Sequence, residues 1–280
     1  MRINTNVAVL SAIESNKNVN MKLNSSLEKL STGLKINKAS DNAAGLSIAD
    51  KLRTQASSNH QAVDNGNSAV ALLQIGDKAM SEQSNILDVI KQKLIQAATA
   101  TTSDEGREAI KKDVQKLLTQ LNNIASQTNY NGTYLLQNSN GDNGATNRLN
   151  FQMGEHADHQ ISLNGFIQAN STGLSLDNLL SIDTLDINTA RDSMSKIDLA
   201  IDQLNSWRAD IGSTQNQVES SVRNLMTQET NIKAAESVIR DVDYAQESSN
   251  FSRMNIISQA GTYAISQANQ IQQNVLRLLQ

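Results

Sequence analysis

Apolar residues along this chain recur mostly three and four positions apart, the spacing of one face of an α-helix. Between residues 3 and 34 they fall at Ile3, Val7, Leu10, Val19, Leu23, Leu27, Leu30 and Leu34, a coiled-coil-like seam. Gly33 and the cluster Ser40-Asp41-Asn42 suggest a helix end followed by a new cap. A second helical pattern runs from about 43 to 98. Its stripe is Val63, Val70, Leu73, Met80, Leu87 and Leu94, thickened by Leu72, Ile75, Ala79, Ile86 and Ile90. Residues 99–106 read as a turn, with Thr102 and Glu105 at capping-box spacing. A third helix is expected after it, with Ile110, Val114, Leu117, Leu121 and Ile124 on one face.

The pattern changes near Asn129. Residues 138–176 hold five of the thirteen glycines and many Asn and Ser. There Leu149, Phe151 and Met153 alternate, as do Ile161 and Leu163, which predicts one or two short hairpin strands. Helix resumes near Ala190, with Thr189 and Asp192 at capping-box spacing. Its seam is Met194, Ile197, Ile201, Leu204, Ile211, Val218, Val222, Leu225 and Ile232, interrupted by Arg208, Gln215 and Glu229. The charged break Arg240-Asp241-Val242-Asp243 leads into a tail, residues 254–280, whose only formally charged residue is Arg277. Ile257, Ala260, Ala264, Ile271, Val275 and Leu278 lie near one stripe of it, and the chain ends apolar on Leu278 and Leu279. A surface helix of a monomer carries a dense charged face. This tail lacks one, so it is expected to be buried against other helices, including those of other copies.

The layout is symmetric about its middle. It predicts a mainly α fold, an elongated coiled-coil and helical-bundle rod with a small β-hairpin region in mid-chain. Residues 1–42 with 240–280 would form a terminal coiled-coil domain, and 43–137 with 177–239 a helical rod domain that includes the β part at 138–176. Composition sharpens this. Aromatics make up 3% of the chain and proline is absent. Aromatics dominate compact cores, so their scarcity favours thin bundles, and long helices meet no proline break. The chain has no cysteine, hence neither disulfide nor thiolate chemistry.

Charge and motifs exclude several classes. A net charge of −4 gives no footing for general nucleic-acid binding. Apolar runs are far shorter than the roughly 20 residues that span a bilayer, and the tail lacks the Lys/Arg-rich face of a membrane-surface helix. Residues 1–13 do not read as a secretory signal peptide. His156 and His159, beside Glu155 and Asp158, lack the spacing of a zinc-protease motif. They read as a solvated loop, and His60 as a packed or boundary residue. Lys17, Lys22, Lys29, Lys35 and Lys38 read as a solvated face. No catalytic triad, P-loop or dinucleotide fingerprint occurs. No enzyme activity, cofactor or metal is expected.

Four stretches carry a family resemblance: Arg-Ile-Asn-Thr-Asn at 2–6, LEKLSTGLKINKASDNAAGLSIADKLR at 27–53, DYAQESSN at 243–250 and QANQIQQNVLRLLQ at 267–280. Together they resemble bacterial flagellin, in a short form without large outer domains. The resemblance covers about 130 N-terminal and 90 C-terminal residues. It implies a structural subunit that self-assembles into the flagellar filament, a helical homopolymer outside the cell that serves swimming motility. It further implies unfolded passage through the flagellar type III export apparatus, a cytoplasmic chaperone on the C-terminal helix, and contact with flagellar cap and hook-junction proteins. The implied self-assembly core is Ile3, Val7, Leu10, Leu23, Leu27, Leu30 and Leu34 with Ile257, Ala260, Ala264, Ile271, Val275, Leu278 and Leu279. A hook–filament junction protein of the same superfamily is the nearest alternative, and a cytoplasmic coiled-coil adaptor is one from another class.

Many flagellins are also detected by a host innate receptor that reads a helical Gln-Arg-Val-Arg-Glu-Leu-Ala-Val-Gln patch. The corresponding stretch here is DVIKQKLIQ at 88–96, with Val89 and Lys91 in the arginine places and Lys93 in the leucine place. Val cannot supply the planar donors of Arg, so weak or absent activation is expected.

Overall fold

The structure, a computed structural model, describes residues 6–140, 142–146, 148–163 and 167–278, apart from the side chains of 272 and 274–278. The described residues form α1 (Val7–Thr32), α2 (Ala43–Ala97), α3 (Asp104–Gln127), β1 (Asn129–Tyr130), β2 (Thr133–Tyr134), β3 (Asn150–Gln152), β4 (Gln160–Ser162), α4 (Asp177–Leu180), α5 (Ile187–Arg240) and α6 (Tyr244–Leu278). The class is mainly α, with two small antiparallel hairpins, β1–β2 and β3–β4. The chain divides into two compact units, 1–56 with 230–280 and 57–229.

In the 57–229 unit, α2, α3 and α5 share one core in which Leu73, Met80, Leu87, Ile90, Leu94, Leu118, Leu121, Ile197 and Leu204 are almost wholly enclosed. Six of the nine stood in the expected stripes; Ile197 and Leu204 also lay in the expected α5 seam, and Leu118 was not named. On α5 the inward face is Ala190, Ser193, Ile197, Ala200, Leu204, Ile211, Thr214, Val218, Val222 and Leu225. Met194 and Ile201, expected in that seam, are only half-buried. Small residues at 190, 193 and 200 hold the centre instead. The expected polar interruptions are partnered: Arg208 Nε donates to Asp77 Oδ1 at 2.9 Å, Gln215 Nε2 donates to Glu219 Oε1, and Glu229 pairs with His60. A smaller core joins α2, α5 and the β3–β4 hairpin through Val63, Met153, Ile161, Val218 and Val222. Gly66 makes that approach possible, because a Cβ there would stand 2.4 Å from Val222 Cγ2 and 2.8 Å from Met153 Cε.

Polar side chains fasten the irregular connection to the helices. Gln83 is fully buried, and its Nε2 donates to the carbonyls of Leu121 at 3.2 Å and Ala169 at 2.6 Å. Asn122 donates to Ser171 Oγ and accepts from the Ser171 backbone N–H. These bonds satisfy backbone groups that no strand pairs. The expected strands appear as β3 and β4, with Phe151 opposite Ile161. The earlier hairpin, β1–β2, was not expected. It turns on Asn131-Gly132, both in left-handed backbone at φ 48° and 83°, the signature of a two-residue hairpin loop.

Two caps differ from expectation. Ser103, not Thr102, caps α3, accepting from the Gly106 N–H at 3.2 Å. Asp186 caps α5 by accepting from the Thr189 N–H at 2.7 Å, so that helix begins at Ile187 rather than near Ala190. A side-chain oxygen one residue outside the helix, hydroxyl at Ser103 and carboxylate at Asp186, meets unpaired N–H groups, and in each case that geometry prevails over the capping-box spacing. The expected end of α1 is present: Gly33, at φ +75°, donates its N–H to the Lys29 carbonyl. Asn42 caps α2 through the Gly45 N–H at 2.9 Å.

Candidate functional site

In the unit of 1–56 and 230–280, α1 and α6 pack antiparallel. The residues they turn toward each other follow a strict three–four alternation. On α1 they are Val9, Ala12, Asn16, Val19, Leu23, Ser26 and Leu30, and on α6 Phe251, Met254, Ser258, Gly261, Ile265 and Ala268. Several of these are polar or very small. Asn16 is buried and lies against Gly261, where a Cβ would stand 3.3 Å from its Cγ. Asn20 Nδ2 donates to Asn16 Oδ1, and Ser258 Oγ donates to Asn20 Oδ1 at 2.8 Å. Ser26 Oγ donates to Glu247. Polar residues in such a seam specify register at a cost in stability.

The thick end of the pair is tied by backbone. Lys35 N–H donates to the Arg240 carbonyl at 2.7 Å, Val242 N–H donates to the Gly33 carbonyl at 3.0 Å, and Leu34 bridges Asp241. Asp243 caps α6 through the Ala245 and Gln246 N–H groups. Asp41 accepts from the Lys38 and Asn37 N–H groups, which hold its carboxyl below the usual carboxylate range. Lys38 bonds the Glu28 carboxylate at 2.7 Å, which raises its pKa above the usual lysine value.

Large apolar side chains of the pair face outward instead. Val7, Leu10, Ile13, Met21 and Leu27 on α1 are exposed, as are Ile256, Ile257, Tyr263 and Ile271 on α6, ranging from 47% at Ile257 to 75% at Tyr263. Of the residues singled out from sequence, Leu23, Leu30 and Leu34 are half-buried within the unit. Val7, Leu10, Leu27, Ile257, Ala260, Ala264 and Ile271 point to solvent. Ile3 and Leu279 lie outside the described residues, and only the backbone of Val275 and Leu278 is described. Sequence reasoning missed the exposed Ile13, Met21, Ile256 and Tyr263. It also missed the inward Asn16, Ser26, Ser258 and Gly261, whose signal was their seven-residue alternation rather than their polarity.

In the stretch matched to the receptor patch, Val89 is exposed, Lys91 pairs with Asp198, and Lys93 donates to Asp113 at 2.8 Å. The exposed rings of His156 and His159 meet edge to face at 5.1 Å. Among the described residues no group of three metal-ligating side chains occurs, and no helix is long and apolar enough to cross a membrane.

Comparison with known proteins gives the family. The model of the bacterial flagellin N-terminal helical region matches residues 3–141, and that of the bacterial flagellin C-terminal helical region matches 194–279. Flagellin of Bacillus subtilis (strain 168) is 35% identical, with both chains covered in full. The flagellar filament 33 kDa core protein of Treponema phagedenis is 33% identical, again across all of both chains. The crystal structure of Bacillus cereus flagellin superposes with a TM-score of 0.50 at 27% identity, over 62% of this chain and 94% of that one. With helical regions at both ends matched and full-length relatives at this identity, the chain belongs to the bacterial flagellins, the structural subunits of the flagellar filament.

Proposed function

We propose that the α1·α6 pair is the polymer-forming core of this filament subunit, and that its outward apolar side chains are buried only between copies. Residues 1–42 with 240–280 would make the inner layer of the filament, and the helices of 43–137 and 177–239, with the hairpins, the next. The observation that carries this reading is that large apolar side chains such as Val7, Leu10, Ile256 and Tyr263 face water, while the inner seam of the pair is interrupted by Asn16, Ser26, Ser258 and Gly261. Each Leu or Ile taken fully out of water contributes about 1.5–3 kcal/mol, so neighbouring copies supply what the seam lacks.

The same weakness suits delivery. Helices without tertiary partners are marginal in water, and a chain free of proline and cysteine refolds without isomerisation or disulfide steps. We read the terminal helices as passing unfolded through the type III export apparatus, with a chaperone holding α6 beforehand and the cap complex guiding insertion. The role is mechanical rather than catalytic. Deleting Ser266 to Gln280 tests the assignment. The truncated chain is expected to keep the 57–229 unit folded and to lose polymerisation; filaments of normal length would overturn it.

A further inference from the structure

Asparagine followed by glycine occurs five times in this chain, at Asn65, Asn131, Asn140, Asn143 and Asn164. Such a pair carries its own chemistry. The glycine has no Cβ to shield its backbone nitrogen, and that nitrogen can attack the side-chain carbonyl carbon of the asparagine. How the fold holds the two groups decides which pair reacts. Gly141 and residues 164–165 lie outside the described residues. The other three pairs are held in different ways.

Two of the three are locked. Asn65 and Gly66 lie inside α2, where the Gly66 N–H belongs to the helical hydrogen-bond ladder. The Asn65 side chain is engaged as well: Nδ2 donates to the Gln152 carbonyl at 3.2 Å, and Oδ1 accepts from Gln61 at 3.1 Å. At the second pair, the Gly144 N–H donates to Asp142 Oδ1 at 3.0 Å. The Asn143 carbonyl accepts from Gln168 at 2.7 Å and from Asn170 at 2.9 Å. Those bonds hold the 143–144 peptide at both its nitrogen and its oxygen.

Asn131-Gly132 differs at each point. It is the loop between β1 and β2, both residues are exposed, and a Cβ on Gly132 would meet nothing within 4 Å. Among the described residues no hydrogen bond engages the Gly132 N–H or the Asn131 side chain. The two residues stand at φ 48° and 83°, as in a type I′ turn. Types I′ and II′ share a positive φ at the first loop residue and differ in how the peptide between the two loop residues is turned. Rotating that one peptide, which glycine permits, carries the Gly132 nitrogen toward the Asn131 side chain while both strand ends stay in place. β1 and β2 are two residues each, so little resists the rotation.

We propose that Asn131 is a site of spontaneous deamidation in the folded protein. The Gly132 nitrogen bonds to Asn131 Cγ, the Cγ–Nδ2 bond breaks, and ammonia leaves with the proton displaced from Gly132. The product is a five-membered succinimide. Water then opens it at either carbonyl, giving aspartate or isoaspartate, and is the only co-reactant. Each converted chain gains one negative charge in the turn. Isoaspartate also adds a methylene to the main chain of the loop, which a two-residue hairpin cannot take up without losing its register.

Unassembled full-length protein, kept in mildly alkaline buffer to help deprotonate the attacking amide, tests this by peptide mapping at intervals. Mass spectrometry reads the gain of amide-to-acid conversion, and enzymatic methyl-esterification reads isoaspartate. Conversion at Asn131 is expected to be about tenfold or more faster than at Asn65 and Asn143, the ratio that a barrier difference of about 1.4 kcal/mol gives. In strong urea all three are expected to convert at similar rates, because the fold no longer holds any of them. An unchanged Asn131, conversion of Asn65 or Asn143 as fast as Asn131 in the folded chain, or the same ranking kept in urea would overturn the proposal.

Discussion

The hydroxyl of Ser258 on α6 donates to Oδ1 of Asn20 on α1 at 2.8 Å, joining residues 238 positions apart in the chain. With Asn16 bonded to Asn20 and seated on Gly261, this polar stack fixes how far one helix slides along the other. It is also the weakest part of the seam, because an apolar pair there would bury more surface. Replacing it should therefore strengthen the pair. Asn16→Val combined with Ser258→Ala is expected to raise the helix content of the monomer, read by circular dichroism at 222 nm. An unchanged or lower signal would show that the stack does not limit pairing.

Gly261→Val is expected to act in the opposite sense. Its Cβ would sit 3.3 Å from the Asn16 side chain before any branch is added, and overpacking of this kind costs about 1–3 kcal/mol. Polymer yield should fall while the thermal transition of the 57–229 unit stays in place. Normal yield would contradict the close contact.

Gly66→Ala tests the 57–229 unit. A Cβ at 66 meets Val222 and Met153 closer than atoms pack, so a loss of about 1–3 kcal/mol is expected. For a unit of this size, about 2–4 °C of midpoint is lost per kcal/mol. Differential scanning calorimetry checks it, and an unshifted midpoint would refute the approach of helix and hairpin.

Acid should loosen the same unit. The Lys93 ammonium donates to Asp113, the Thr189 side chain to Asp186 and Lys111 to Glu108, holding all three carboxyls below their ordinary values of 3.8, 3.8 and 4.5. A carboxylate lowered by folding adds stability that is present above its ordinary pKa and is lost as pH falls through the lowered one. The loss therefore starts near pH 4.5 and 3.8 and continues downward. Lys38, raised by Glu28, has its effect at the alkaline end, above 10.5, and plays no part in acid. Asp186→Asn is expected to lower the thermal midpoint at about pH 7 and to match wild type at about pH 2. A difference of equal size at both would contradict the cap.

At the receptor-patch positions, the exposed Val89 offers no guanidinium and Lys93 is committed to Asp113. Weak activation of the innate receptor by depolymerised protein is expected in reporter cells, and Val89→Arg with Lys93→Leu is expected to raise it. Strong activation by the unmodified chain would overturn the alignment.

The long helices were legible because Leu73, Met80, Leu87, Leu94, Ile197 and Leu204 repeat at helical spacing and all reach the core. The helix pair was legible only as a pair. Its apolar residues drew attention to Val7, Leu10, Leu27 and Ile257, which face outward, because apolar pattern alone cannot say whether a stripe meets its own chain or another copy. The inner face was legible only in part: Val19, Leu23 and Leu30 stood in the expected seam, whereas Asn16, Ser26, Ser258 and Gly261 carry no hydrophobic signal. The β1–β2 hairpin was readable from Asn131-Gly132, but strands of two residues are too short to alternate.

Amide hydrogen exchange on monomer and filament shows whether neighbouring copies complete the α1·α6 pair, because protection tracks local opening. Fast exchange along α1 and α6 is expected in the monomer and strong protection of both in the filament, with the core of 57–229 protected in each. Equal protection of α1 and α6 in the monomer would mean that the pair is stable alone, and the claim that neighbouring copies complete it would be wrong.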